Sequence, residues 1–370
     1  RPRSRARRAR SSPDPRMPPL KPTRPVPRGS SAGFFAGRYK TEFEDFVVEE
    51  VPAYEPSGQG EHTWLWVEKR GLSTLDLVHE LAGALDRDER HFGVAGLKDA
   101  RAISRQWLSI DNVDPARCAG LAGERFRVLR ATRHGNKLRL GHLRGNRFDI
   151  VLRGATPGDL TIAEQVLDDC SRRGVPNYFG EQRFGKRGAN LQKGLDVLHG
   201  DPRQAARRMP RRVFGLVLSA VQSEVFNRVV MARRDTLDRL LPGDLAFLHK
   251  NGAVFPVVDV DKEMARVERF ELSPSGPMPG PDMLQPSGEV LQLEQQALRE
   301  LSLTGEEFRD LPFRVARGER RPLRVPVSEA KASLVDAGLR VGFTLPKGAY
   351  ATAVLREMLA EAIWFRDEQE

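Results

Sequence analysis

A carboxylate beside an ammonium, at the end of a short apolar run, is the part of this 370-residue chain best suited to chemistry. Phe92-Gly93-Val94-Ala95-Gly96-Leu97-Lys98-Asp99 reads as a buried strand that ends in a glycine turn and delivers Lys98 and Asp99 side by side. Groups just past a strand are held by rigid scaffold and still reach solvent. An aspartate ionises near pH 3.9, so roughly at neutrality it is an anion able to attack carbon without a separate base. The same spacing also closes ordinary turns, and the surroundings must decide between the two.

Three further groups fit a nucleic-acid substrate. Gly145-Asn146-Arg147-Phe148 offers an amide to read a base edge and a ring to stack beneath it. Glu44-Asp45-Phe46 precedes an apolar strand and supplies a second aromatic. Phe343-Thr344-Leu345-Pro346-Lys347-Gly348 leads into a final helix whose N-terminus suits phosphate. Gly180-Glu181-Gln182-Arg183-Phe184-Gly185-Lys186-Arg187 nearly fits a phosphate-binding loop, but Arg187 stands where a Ser or Thr must ligate magnesium. A nucleotide triphosphatase is rejected, and Arg183, Lys186 and Arg187 are placed near RNA phosphate instead. The seven histidines form no zinc-enzyme pair, and Asp259 and Asp261 read as the solvated face of an alternating strand. Without a G-x-G-x-x-G turn there is no dinucleotide signal either, so neither metal nor cofactor is expected.

Charge points the same way. Of the formal net charge of +10, residues 1–28 carry nine Arg and Lys21 against Asp14. This Pro-, Ser- and Arg-rich tail, taken as residues 1–30, lacks apolar periodicity and is expected to be disordered. Arg125 to Arg147 holds eight basic residues and no acid. Arg125–Val128 and Lys137–Leu140 both alternate, and His134-Gly135-Asn136 supplies a turn, so a hairpin is expected to present Arg125, Arg127, Lys137 and Arg139 on one face. A face of a single sign favours a polyanion. A second cluster, Arg203, Arg207, Arg208, Arg211 and Arg212, supports that reading. Two scattered cysteines, Cys118 and Cys170, fit a reducing cytoplasm, and no apolar run reaches about eighteen residues.

Positioning these groups requires a β-rich region. Thr41–Glu50, Thr63–Glu68, Trp107–Ile110 and Phe148–Leu152 read as strands. Ser73 and Asp76 have capping-box spacing before a helix with Leu75, Val78, Leu81, Ala82 and Leu85 inward. A second helix follows Thr161 with Ile162, Val166, Leu167 and Cys170 inward, and Gly174 and Pro176 end it. Beyond Gly174 the pattern changes: a buried helix over Val213–Met231, a β-rich stretch over Asp244–Phe270, an extended proline loop over 274–281, and a helix over Val290–Leu301. Short strands then return before a helix from Tyr350 to Phe365. One domain interrupted by another is the simplest layout.

Gly96-Leu97-Lys98-Asp99 with Gln106-Trp107, Gly145-Asn146-Arg147-Phe148, Pro176-Asn177-Tyr178-Phe179-Gly180-Glu181-Gln182-Arg183-Phe184-Gly185, and Phe343 through Thr352 resemble the TruD family of tRNA pseudouridine synthases, in order, from about Gly37 to Glu357. The resemblance implies an α+β pseudouridine-synthase fold, a mixed and largely antiparallel sheet with flanking helices, interrupted by an inserted TRUD domain. Boundaries are expected at residues 31–173 and 318–370 for the catalytic domain and 174–317 for the insertion. It implies isomerisation of uridine 13 of tRNA with Asp99 as nucleophile, Phe46, Asn146 and Phe343 at substrate-contacting positions, Phe148 in the pocket, and Lys40 as a nearby basic residue. tRNA is the implied partner of a monomer with no membrane or obligate protein partner. A non-catalytic RNA-binding protein is the rival reading, which Asp99→Ala separates, and a DNA-binding protein is a third with no use for Asp99.

Overall fold

Alternating apolar residues build the first strands: β1 (Phe46–Pro52) turns Phe46, Val48 and Glu50 inward, and β2 (His62–Arg70) does so with Leu65, Val67 and Lys69. The structure, a computed structural model, describes residues 21–24, 26–28 and 33–360. Helix α1 (Thr74–Leu85) starts at Ser73, whose hydroxyl accepts the Asp76 amide. Its buried stripe is Thr74, Leu77, Val78, Leu81, Ala82 and Leu85, whereas Leu75 is exposed, contrary to expectation. With Thr74 buried, the helical period selects position 77 over 75. After β3 (Phe92–Val94) come β4 (Ile103–Asp111), α2 (Pro115–Cys118), β5 (Phe126–His134), β6 (Leu143–Arg153), α3 (Asp159–Arg173) and β7 (Val175–Pro176). Helix α3 begins before Thr161 because the Asp159 carboxylate accepts the Thr156 amide and hydroxyl.

Residues 178–323 form a separate unit. It contains α4 (Ala189–His199), α5 (Pro202–Arg208), α6 (Arg211–Ala232), β8 (Leu245–Leu248), β9 (Val254–Pro256), α7 (Val260–Glu268), β10 (Leu272–Met278), α8 (Gly288–Arg299) and β11 (Glu319–Pro322). Two expectations fail here. Asp259 caps α7 by accepting the Lys262 amide, so Asp259 and Asp261 are not on a strand. Pro274 and Pro277 lie within β10 rather than a loop: β8 pairs its first half and β11 its second, so each proline has one strand neighbour, the edge-like position proline tolerates. Helix α6 is long and apolar enough by composition to cross a membrane, yet it buries Phe214, Val217, Leu218, Val221, Val225, Phe226 and Val229 as the core of this unit. Most of the expected disordered tail lies outside the described residues. Thr23 does not fit that expectation, because its amide and hydroxyl donate to the buried Glu224 carboxylate of this same unit.

The chain then returns through β12 (Arg324–Val325), β13 (Ser328–Val335), β14 (Gly338–Pro346) and α9 (Ala351–Met358). β12 pairs with β7, so the change of unit falls at Tyr178 and after Leu323, a few residues beyond the boundaries at 174 and 317. The second unit is built on an eight-stranded sheet ordered β13-β14-β6-β1-β4-β2-β5, with β3 on β4. Only β1 and β4 are parallel; the other neighbours are antiparallel. This is the expected α+β class.

One face of this sheet carries two separate cores. Helices α3 and α9 cover Phe46, Val48, Phe148, Ile150, Val341 and Phe343, and α1 covers Leu65, Val67, Leu108, Phe126 and Val128. On that same face, strand register aligns Lys69 with Ser104, Val67 with Gln106, and Glu50 with Asn146. A seam of polar side chains, buried at Glu50, Lys69, Ser104 and Gln106 and half-buried at Asn146, therefore separates the two apolar halves, and the Lys98–Asp99 loop reaches it.

Candidate active site

The loop after β3 is fixed from both ends. The Lys98 amide donates to the Thr74 hydroxyl at 2.7 Å, and that hydroxyl donates to Gln106 Oε1 at 2.9 Å. The next carbonyl, that of Asp99, accepts from Lys69 Nζ at 2.9 Å. Lys69 is buried and also donates to the Leu72 carbonyl. Burial pushes its ammonium down to about 8, with the Asp99 charge opposing and the Lys98 charge assisting.

The Asp99 side chain is 49% exposed, and one oxygen forms an ion pair with Lys40 while the other accepts the Arg101 amide. Partial burial raises the carboxyl, but the Lys40 hydrogen bond and charge, with the Arg101 and Ala100 amides, outweigh it and hold it below the ordinary carboxylate range. It is therefore an anion at any physiological pH. Lys40 reaches it from a left-handed backbone conformation (φ 59°), which is uncommon for a side-chain-bearing residue and concentrates at functional sites. Its ammonium also sits 4.4 Å above the Phe46 ring, a cation–π contact.

From Phe46 an aromatic wall continues. Phe46 meets Phe148 edge-on at 6.1 Å between centroids, and Phe148 meets Phe343 at 5.5 Å across the β6–β14 ladder. All three rings are buried, Phe343 at 1% exposed and Phe46 and Phe148 at 6% and 7%, so little of the wall reaches the surface and Phe343 backs it. Asn146 lies two residues from Phe148 on the same strand face, and Lys98 Nζ donates to its Oδ1 at 2.7 Å. Lysine carries three donors and no acceptor, so the amide oxygen must face it and the amide NH2 is left for a substrate. Lys98 also pairs with the buried Glu50 at 3.0 Å, and Glu50 accepts the Trp107 amide at 3.3 Å. Burial raises the Glu50 carboxyl against the opposing pull of Lys98 and Trp107.

Asp99, Lys40, Phe46, Asn146, Phe148 and Phe343 are thus one contiguous group. Glu50, Lys69 and Thr74 belong to it and escaped notice in the sequence, and Gln106, named there only as part of a motif, joins them. A signal existed: Glu50 follows Phe46 and Val48, and Lys69 follows Leu65 and Val67, at the inward parity of their strands. A charge in an apolar register has a buried partner.

The RNA-backbone candidates fare differently. No hairpin joins 125–128 to 137–140. β5 runs on to His134 and pairs with β2, while residues 136–140 pack on β4 and β2 through Leu138 N to Ser109 Oγ and Trp64 Nε1 to the Asn136 carbonyl. Nor is the face of one sign. Arg125 pairs with Glu80, Arg127 with Glu68, Glu68 with Arg105, Arg105 with Glu49, and Arg147 with Glu329. Counting charge along one segment omits the acids that β2, β1 and α1 place beside it. Lys137 donates to the Arg90 carbonyl, and Arg139 is exposed. In the other unit Arg183 is committed to Ser219 and Ser223 of α6, and Lys186 is exposed.

The model of the family described as tRNA pseudouridine synthase D (TruD) matches residues 30–210 and 198–358. The chain belongs to the TruD family. A tRNA pseudouridine synthase D of Geobacter metallireducens is 41% identical over 87% of this chain and 95% of its own length. One from Thermus thermophilus is 41% identical over 87% and 88%. Family membership makes the chain a pseudouridine synthase, an isomerase acting on uridine in tRNA. A solved structure of a Methanosarcina mazei protein assigned to TruD superposes with a TM-score of 0.75 over 90% of this chain and 96% of that one, at 22% identity, which establishes the shared fold.

Proposed function

We propose that the protein converts uridine 13 of tRNA to pseudouridine with Asp99 as the catalytic carboxylate. The observation that carries this reading is the state of Asp99: half exposed, ionised by Lys40, and fixed through its own carbonyl by Lys69. The reaction breaks the N1–C1′ bond, turns the uracil and rejoins it through C5, releasing the C5 proton with no change of redox state. Asp99 either attacks C1′ or takes the C2′ proton, and both roles need the anion that Lys40 maintains.

The substrate base must leave its stack at a cost of roughly a few kcal/mol. One aromatic stack returns about 1–3 kcal/mol; with Phe46 and Phe148 only 6% and 7% exposed, the wall supplies part of the offset on this reading and phosphate contacts the rest, with Phe343 holding Phe148 in place. The Asn146 NH2, oriented by Lys98, suits a uracil carbonyl oxygen. The wall also keeps water from the detached base. Residues 178–323 are, on this reading, the family-specific TRUD domain. The setting is a cytoplasmic monomer acting on tRNA without a membrane or protein partner.

The test is release of tritium from tRNA labelled at uracil C5, compared with Asp99→Ala and with tRNA carrying cytidine at position 13. Stoichiometric release by wild type, none by the variant, and none from the site-13 substitution are expected. Release that persists in Asp99→Ala removes the carboxylate from the chemistry, and release that survives the site-13 substitution moves the target.

A further inference from the structure

Five arginines crowd α5 and the first turn of α6. Arg203 and Arg207, Arg207 and Arg211, and Arg208 and Arg212 are each four residues apart in sequence, and within α5 the Arg203–Arg207 spacing stacks like charges on one helical face. Arg211 and Arg212 open α6, whose first turn holds no acid, at the helix end that favours negative charge. All five are exposed, and among the described residues no carboxylate or other acceptor engages their guanidinium groups. Asp201 is the acid next to them, and its carboxylate caps α5 through the Arg203 and Gln204 amides. Arg105 of β4, Arg127 of β5 and Arg147 of β6 behave in the opposite way, each paired with a glutamate.

A ring stands beside the patch. Phe313 is 41% exposed and adopts φ 63°, followed by Arg314 at φ 51°, conformations that side-chain-bearing residues rarely hold. Phe214 of α6 supports Phe313 edge-on at 5.7 Å, and the Arg211 guanidinium lies 5.9 Å from its centroid. Unpaired arginines around a buttressed, strained aromatic are the composition of a surface that takes phosphates and stacks an unpaired base.

We infer that α5, the start of α6 and Phe313 form an RNA-docking surface that grips the backbone and one unstacked base of the tRNA. The inference rests on the tRNA reading above and adds where the unit spanning 178–323 holds that partner. Its energy goes into substrate affinity, not into the chemical step.

The experiment is steady-state tritium release and tRNA binding across a salt series for wild type, a variant with Arg207, Arg208, Arg211 and Arg212 changed to Ala, the same four changed to Lys, and Phe313→Ala. The alanine variant is expected to keep kcat, raise KM at least tenfold near physiological salt, and lower the log–log salt slope by about 3, from roughly 0.7–0.9 per lost phosphate contact. The lysine variant restores the slope. Phe313→Ala weakens binding about tenfold at unchanged slope. A wild-type KM and slope in the alanine variant overturn the inference. Absent tritium release from wild type with patch-dependent RNA binding defeats the isomerase reading and leaves the surface standing.

Discussion

Glu50 and Lys98 allow a prediction in which stability and activity separate. Both are almost completely buried, their charged atoms are 3.0 Å apart, and Lys98 in turn holds Asn146. Removing one member of a buried pair leaves the other charge uncompensated, at a cost of about 3–5 kcal/mol. Glu50→Gln should therefore lower the melting temperature by roughly 6–20 °C, at 2–4 °C per kcal/mol for a unit of this size. Lys98→Met strands Glu50 in the same way, although Glu50 can take up a proton, so its loss should be smaller and should shrink as pH falls. Replacing both, Glu50→Leu with Lys98→Met, removes the charges together, and such exchanges are commonly neutral or stabilising by about 1–4 kcal/mol. The double variant should regain the melting temperature but not the activity, because Asn146 has lost the ammonium that orients its amide. The assays are thermal unfolding followed by circular dichroism and tritium release at saturating tRNA. A double variant no more stable than either single one, or one with full activity, refutes the reasoning.

Lys40→Met should move the acid limb of kcat/KM to higher pH: the competent form of Asp99 is the anion, Lys40 holds its carboxyl low, and without Lys40 burial dominates. A pH–rate profile with an unmoved limb counts against it. Lys69 contributes a pH-dependent stability of opposite appearance. Its folded value of about 8 lies below the unfolded lysine value near 10.4, so the unfolded chain binds the extra proton between those limits and stability should rise with pH across that window, by on the order of 3 kcal/mol. Lys69→Met should flatten this rise in melting temperature. Gly145→Ala should prevent β14 from closing on β6, since a Cβ there would lie 2.1 Å from the Leu345 carbonyl oxygen, and the variant should be recovered unfolded or aggregated; a soluble, fully active variant contradicts this.

Features set by neighbouring residues were legible in the sequence. The Ser73 cap, the strand before Gly96, and the Asn146–Phe148 pair on one strand face all follow from spacing of two to four residues. What required the fold was long-range pairing. Arg125 and Arg127 look unopposed until β2 brings Glu68 beside them and α1 brings Glu80. Lys69 and Gln106 acquire meaning only through the β2–β4 register. Short elements misled for a different reason: a nine-residue helix such as α7, opened by Asp259, is too brief for its period to be distinguished from alternation.

The pairing of Phe148 with Phe343 also fixes when the catalytic wall can exist. Asp99, Asn146 and Phe148 leave the ribosome early, but β14 follows roughly 200 residues later, which at about 5–20 residues per second is a delay of 10–40 s. Through that interval β6 has β1 on one side and an open edge on the other. The whole segment 178–323 must emerge before that edge is covered. A nascent chain therefore carries its carboxylate long before it owns a pocket, and any product that terminates early is an unfinished sheet in search of a strand.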